Sequence, residues 1–415
     1  MSAVILRGDA ASLPLADESV DLVITSPPYW ALRSYTDGGE HYAGQIGSEA
    51  TPREFLDALL ACTREWIRVL KPSGSMFINL GDKYSERSGP GHAAGTEGRL
   101  PSRPERPRRK GFAETGVQPK SLMGMPWRYA LGCVDDLGLI LRAEIIWAKP
   151  NGLPESVTDR VRRSHEQIFH MTKLPRYYSA VDEVRQPHAE WTLKAYAYEQ
   201  KNHYNRRKNA DRNDGGDASA YAVANPLGKL PGSVWEIPSQ PLTVPAHLGV
   251  DHFAAFPMEL PRRIILGWSP PGICTACGEG RRPVVAKPGL LGGDNNTERL
   301  VGGRYIASGF NGGQKMWAQR MARPDYITGY ACACPDATAP TRPGVVLDPF
   351  GGTGTTALVA AMHGRTGISV DRSADYCRLA RWRVSDPAER AKAMCVPKPP
   401  PVADGQVALF GAEAI

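Results

Sequence analysis

A run over residues 20–24 that is apolar apart from Asp21 breaks at Thr25-Ser26-Pro27-Pro28-Tyr29-Trp30. Two consecutive prolines lock their own backbone, remove two amide donors and bias the preceding residue away from helix, so a strand entering this segment must stop there. The corner then offers a hydroxyl on Ser26, a Pro27 carbonyl that meets no competing amide, and the aromatic faces of Tyr29 and Trp30. Such a set suits a flat ring that carries an amino group.

A second segment answers the first from the far end of the chain. Residues 345–347 are apolar and lead into Asp348-Pro349-Phe350-Gly351-Gly352-Thr353-Gly354-Thr355-Thr356. This reads as a parallel-sheet strand, a glycine turn and a helix start, with the next strand ending on Asp371. Gly352, Gly354 and Ala357, with the acidic Asp371 nineteen positions after Gly352, also satisfy the loose dinucleotide fingerprint. Taken alone, the glycine turn leaves NAD open as a ligand.

The two segments together resemble the DNA amino-methyltransferases, whose catalytic motif reads Ser/Asn/Asp-Pro-Pro-Tyr/Phe/Trp and whose S-adenosylmethionine loop follows an Asp-Pro-Phe lead-in. Because the proline motif precedes the glycine turn, with a basic insertion between them, the chain is similar to the β class of that family. The linking segment Ile145-Ile146-Trp147-Ala148-Lys149-Pro150-Asn151, then Arg160, Ser164, His165, Glu166 and Tyr177-Tyr178, resembles the middle of the same family. The resemblance implies an α/β fold: a Rossmann-like, mostly parallel sheet of the S-adenosylmethionine-dependent methyltransferase type, circularly permuted and carrying insertions. It implies methyl transfer to the exocyclic amine of a flipped base in double-stranded DNA. Ser26, Pro27, Pro28 and Tyr29 would act on the base, Ser26 and Pro27 by accepting the amino hydrogens. Asp9, Thr25, Phe256, Asp348, Phe350, Gly352, Gly354, Thr355 and Asp371 would form the cofactor site, with Asp371 on the ribose hydroxyls. Serine at the first motif position is more typical of cytosine N4 than of adenine N6, although a hydroxyl can serve either. A ring-carbon methyltransferase would show a Pro-Cys nucleophile, which this sequence lacks. A catalytically inactive nucleic-acid-binding module is the contrasting reading, opposed by the intact proline motif and Asp371.

Composition sets the frame. The 415 residues are 42% hydrophobic with a net charge of +7, enough for one large core with insertions or for two domains. No apolar run approaches a membrane span, and the N-terminus lacks the regions of a secretory signal, so the expected compartment is the cytoplasm, at the nucleoid. Residues 1–83 and 121–185 read as the catalytic part of the methyltransferase domain, and 247–268 with 344–386 as its cofactor-binding part. Thr51-Pro52-Arg53-Glu54 is a capping box with proline at the first helical position, and Phe55, Leu59, Cys62, Trp66 and Val69 share one helical face. Residues 71–74 are expected to end that helix, residues 75–80 to form the next strand, with Asn79 and Asp82 at the ligand edge, and residues 252–257 to resume the sheet. His165 and Glu166 are a pair of acid-base type, but their place before a strand favours structural hydrogen bonding.

Residues 84–120 lose periodicity and hold six basic residues from Arg99 to Lys110 against the single Glu105, as either a solvated, flexible linker or an arm that grips phosphates. Residues 186–246 interleave Lys194, Lys201, Arg206, Arg207, Lys208 and Arg212 with Trp191, Tyr196, Tyr198 and Tyr204. That mixture suits phosphate neutralisation and base stacking, making this the candidate target-recognition region, with a solvated surface as the alternative. The insertion 269–343 carries Cys274-Thr275-Ala276-Cys277-Gly278 and Cys332-Ala333-Cys334. A Cys-x-x-Cys-Gly turn and a second pair can hold one structural zinc, although the second spacing is one residue short of the usual ribbon, and free thiols are the competing reading. The tail 387–415 includes Gln406-Val407-Ala408-Leu409-Phe410, similar to the peptide by which bacterial proteins dock on the replication sliding clamp. A homodimer and a cognate restriction nuclease complete the candidate partners.

Overall fold

The computed structural model describes residues 2–32, 36–37, 40–41, 44–85, 115–152, 154–190, 225, 227–250, 255–286, 300–301, 304–305, 326–334 and 338–397. The chain divides into two compact units. One comprises Met1–Ser179, Gly232–Gly280 and Thr338–Ile415, and the other Ala180–Pro231 and Arg281–Ala337.

An eight-stranded sheet organises the first unit. Its strands are β1 (Ala3–Arg7), β2 (Val20–Thr25), β3 (Leu70–Leu80), β4 (Ile140–Ala148), β5 (His165–Thr172), β6 (Val234–Glu236), β7 (Val345–Asp348) and β8 (Thr366–Asp371). They lie in the order β1-β8-β7-β2-β3-β5-β4-β6. Neighbours run parallel except where β5 meets β3 and β4. Strands from the two ends of the chain are therefore adjacent: Val346 pairs with Leu22, and Leu347 with Val23. Strand β2 is buried along its whole length, as its mostly apolar sequence requires of a central parallel strand. Its one carboxylate, Asp21, accepts the Val345 amide at 2.8 Å and pairs with Lys71 at 2.5 Å, so the buried charge is compensated.

Helix α1 (Pro52–Val69) begins as the sequence dictates. Thr51 Oγ1 accepts the Glu54 amide at 3.2 Å while Glu54 Oε2 accepts the Thr51 amide at 3.1 Å, the reciprocal capping box. The predicted apolar face is the buried one, each of Phe55, Leu59, Cys62, Trp66 and Val69 being at most 2% exposed. Val23, Met76 and Ile78 join that face in the core. Phe77, one residue out of phase, packs instead on Trp268 with ring centroids 5.0 Å apart. The sheet is thus covered on both faces, as strand alternation demands. Helix α2 (Met125–Asp135) accompanies α1, and α3 (Glu259–Trp268), α4 (Thr355–Met362), α5 (Ala374–Ser385) and α6 (Pro387–Ala393) are the other α-helices described in the unit. No described helix is long and apolar enough to cross a membrane.

Two local expectations are corrected. Residues 71–74 do not separate α1 from the next strand: β3 starts at Leu70, and the pairing jumps from Val20–Leu70 to Leu22–Ser75, so the proline and glycine are absorbed as a bulge. No strand forms over residues 255–257, where Pro257 removes an amide just before α3. In the second unit, Val181–Val184 forms a 3-10 turn, and Arg282–Ala286 pairs antiparallel with Tyr326–Ala331. The basic and aromatic residues named between 191 and 212, the arm over 86–114 and the motif at 406–410 lie outside the described residues.

His170 on β5 shows how tightly this frame is packed. It is 3% exposed, stacks on Phe77 with centroids 4.2 Å apart, and bonds Ser75 Oγ through Nε2 at 3.1 Å. Burial pushes its pKa down to about 3, so the folded protein holds a neutral imidazole where the unfolded chain takes a proton near pH 6.5. The contribution is fully present above pH 6.5 and is lost as pH falls toward 3. Between pH 6.5 and 5 the native protein should therefore lose about 2 kcal/mol that a His170→Phe variant keeps. Urea unfolding of both at the two pH values measures this, and equal losses would refute it.

Candidate active site

The proline corner and the glycine turn are joined by one buried carboxylate. Asp348, at the end of β7, is 2% exposed. Its Oδ1 accepts from Thr25 Oγ1 at 2.8 Å and the Phe350 amide at 3.2 Å, and its Oδ2 accepts from Thr356 Oγ1 at 2.8 Å. It links the strand leading into the proline corner to the glycine turn and to the first turn of α4. Burial pushes its pKa up to about 6, against the three hydrogen bonds that favour the carboxylate.

A cavity of about 370 Å³ opens at the carboxyl ends of β2, β7 and β8, within the range of small-ligand sites and where open α/β sheets bind ligands. Ser26 and Pro28 line it on one side; Phe350, Gly352, Thr353, Thr355 and Asp371 line it on another, with Asp9, Ile46 and Phe256 closing it. Asp371 Oδ2 accepts the Gly352 amide at 2.9 Å and Oδ1 the Ser373 amide at 2.9 Å, with acceptor capacity remaining for a ligand. Burial raises its pKa. Asp9, whose Oδ1 accepts the Ala11 amide at 2.9 Å, adds a third carboxylate. Cys62 also lines the cavity, and burial pushes its thiol up to about 12, so it is a neutral wall.

Thr25 and Gly354 lie outside this lining. Thr25 acts through Asp348. Gly354 sits at φ +72° before α4, and a Cβ there would come within 2.9 Å of Ala380 Cβ, so the glycine permits both the left-handed turn and the approach of α5. Below the turn Arg383, 3% exposed, donates to Thr353 Oγ1 at 2.7 Å and Thr355 Oγ1 at 2.6 Å and pairs with Glu389 of α6 at 2.8 Å. Neither Arg383 nor the cavity-lining Gln45 and Ile46 carries a sequence motif that would single it out.

The aromatic pair divides. Trp30 is 2% exposed and its Nε1 donates to Glu49 O at 3.1 Å; it is a core residue, not a second face for a ring, because the corner turns it inward. Tyr29 lies against Gly81, where a Cβ would stand 2.6 Å from its ring, and its hydroxyl donates to Glu166 Oε2 at 2.7 Å. Asn79 Nδ2 lies 2.8 Å from the same Oε2, 3.0 Å from the Tyr29 hydroxyl and 3.3 Å from Ser26 Oγ. Lys149 pairs with Glu166 Oε1. Topology explains the meeting: β5 runs antiparallel, so its beginning, with Glu166, reaches the edge where β2 and β3 end. Asp82 holds a different place, accepting the Gly124 and Met125 amides at 2.8 and 3.1 Å as a remote cap for α2.

Of the predicted metal ligands, Cys274 and Cys277 lie in the first unit. The Gly278 amide donates to Cys274 O at 2.9 Å, with Gly278 at φ +74°, the tight turn expected of a Cys-x-x-Cys-Gly segment. Cys332 and Cys334 follow the strand Tyr326–Ala331 in the second unit.

The profile of the DNA methylase family, which comprises N6 and N4 methylases, matches residues 20–275 and 338–381. The chain is 34% identical over 276 residues to the Type II methyltransferase M.SmaI of Serratia marcescens, covering 65% of this chain and 77% of that protein. It is 33% identical over 281 residues to the Type II methyltransferase M.Cfr9I of Citrobacter freundii, covering 65% and 74%. The solved PvuII DNA methyltransferase (cytosine-N4-specific) overlaps 95% of this chain and 91% of its own, with 17% identity and a TM-score of 0.48. A match extending over most of the sheet and both motif corners places the chain in the N6/N4 DNA methylase family, as a DNA amino-methyltransferase.

Proposed function

We propose that the protein methylates the N4 amino group of cytosine at a defined DNA site, with S-adenosylmethionine as methyl donor. The observation carrying this reading is that Ser26 and Pro28 line the same cavity as Phe350, Gly352 and Asp371. A cavity whose described lining holds Asp9, Asp348 and Asp371 against the single cation Arg372 suits a ligand with a sulfonium and an ammonium group better than the pyrophosphate of a dinucleotide. Asp371 would hold the ribose hydroxyls, and the apolar side chains of Ile46, Phe256 and Phe350 would flank the rest of the cofactor. Bound there, S-adenosylmethionine supplies an electrophilic methyl group.

The protein's part is to make an amine attack. An exocyclic amino nitrogen is a poor nucleophile because its lone pair is delocalised into the ring. Ser26 Oγ and the Pro27 carbonyl would accept its two hydrogens and favour the tetrahedral geometry in which that lone pair is released, an interaction stronger in the transition state than before it. The base must leave the duplex to arrive there, and the Tyr29 ring would stack on it, worth about 1–3 kcal/mol. Serine at the first motif position favours cytosine over adenine. Residues 186–246 are the proposed target-recognition region by their basic and aromatic composition, and the cytoplasm is the compartment this substrate implies. A structural zinc on Cys274, Cys277, Cys332 and Cys334 is supported by the spacing and by the turn at Gly278; four thiolates leave no open position for catalysis.

Single-molecule sequencing of DNA from cells expressing the protein should show N4-methylcytosine in one recurrent context, lost with Ser26→Ala; N6-methyladenine would reassign the base. In calorimetry S-adenosylhomocysteine should bind and NAD should not, and Asp371→Ala should weaken binding by about tenfold or more. A preference for NAD would overturn the cofactor assignment. Elemental analysis of purified protein should find about one zinc per chain, lost in Cys274→Ser; a metal-free, folded preparation would remove zinc from the account.

A further inference from the structure

The hydrogens of the polar cluster behind Ser26 are ordered by the carboxylate of Glu166. Glu166, ion-paired to Lys149, is a carboxylate and can only accept. Asn79 must therefore turn its amide nitrogen toward Glu166 Oε2, 2.8 Å away, and its Oδ1 is left buried without a donor among the described residues. The Tyr29 hydroxyl has one hydrogen and gives it to the same carboxylate oxygen at 2.7 Å. Toward Ser26 Oγ, at 3.3 Å, the tyrosine oxygen can then only accept. So the single Ser26 hydrogen can point at Tyr29, and Asn79 Nδ2, 3.0 Å from the Tyr29 oxygen and 3.3 Å from Ser26 Oγ, occupies at most one serine lone pair. The other is left for a hydrogen brought by a substrate.

We propose that Glu166 is a positioning residue that makes Ser26 an acceptor toward the target amine, acting through the hydroxyl of Tyr29. This rests on the reading that Ser26 receives an amino hydrogen. The direction of the whole chain, Ser26 to Tyr29 to Glu166, is set at its far end, because only the carboxylate has no hydrogen of its own to give. In Glu166→Gln, Lys149 would attract the amide oxygen and leave the amide nitrogen facing Tyr29. The tyrosine hydrogen then turns toward Ser26, the serine hydrogen turns into the site, and the amine meets a donor instead of an acceptor. The role is distinct from stacking, which uses the Tyr29 ring and survives loss of its hydroxyl.

The test is single-turnover transfer of labelled methyl groups to DNA from a host lacking the modification, with cofactor affinity measured alongside. Glu166→Gln and Tyr29→Phe should each slow transfer about tenfold or more while cofactor Kd stays within about twofold, since the lost hydrogen bonds are charge-assisted and remote from the cofactor. The double variant should be no slower than the slower single one, because both changes break one chain. Losses that multiply, or a Glu166→Gln rate close to the parent's, would overturn the inference. If Glu166→Gln does not fold, Tyr29→Phe carries the test alone: it removes one oxygen, and an undiminished rate would sink the proposal. Ser26→Ala separates the two levels. If that variant is as fast as the parent, the reading of Ser26 fails; if it is slow while Glu166→Gln and Tyr29→Phe are fast, only the role of Glu166 fails.

Discussion

Everything at the active edge hangs on a carboxylate that ought to be costly. Taking a carboxylate out of water costs several kcal/mol even after relaxation, yet Asp348 is buried where three structural pieces converge. Two threonine hydroxyls and an amide offset that cost, incompletely, since its pKa stays raised to about 6. A carboxylate is the side chain that can accept from all three at once without contributing a hydrogen that needs a partner of its own. Residues more than three hundred positions apart in the chain, Thr25 and Asp348, are thereby held within one hydrogen bond, and the proline corner is set against the glycine turn.

The same economy of hydrogens recurs around the proline corner. Parallel strands deliver their carboxyl ends to the ligand edge, and only a strand running the other way can bring its beginning there. Strand β5 does so, pairing Leu80 with Gln167 and Asn79 with Ile168, and so places Glu166 behind Tyr29. The glycine turn is supported differently, from beneath: Arg383 reaches both Thr353 and Thr355 and is neutralised by Glu389. A buried guanidinium without its carboxylate would be strongly destabilising, so α6 is tied to the glycine turn even though the family match ends at residue 381.

Local chemistry was readable wherever a residue acts through its own neighbours in the chain. The capping box of α1, its buried face, the fully buried β2 and the breaker that ends it all follow from spacing and residue type, and the two motif corners follow from resemblance. The insertion 71–74 was misread because proline and glycine signal a break equally well in a loop or in a bulge. Trp30 was misread because an aromatic beside a double proline can face either way.

What the sequence by itself determined is the family and the two corners, since prolines and glycines constrain the backbone wherever they stand. Only the tertiary structure decided which polar groups meet across strands. Glu166 read as a structural hydrogen-bonding residue ahead of a strand, and Arg383 carried no signal that singled it out. Their roles depend on partners far away in sequence, Tyr29 and Asn79 for the one and the glycine-turn threonines for the other. A hydrogen bond is satisfied or lost within a few tenths of an ångström, a distance that no pattern along the chain encodes.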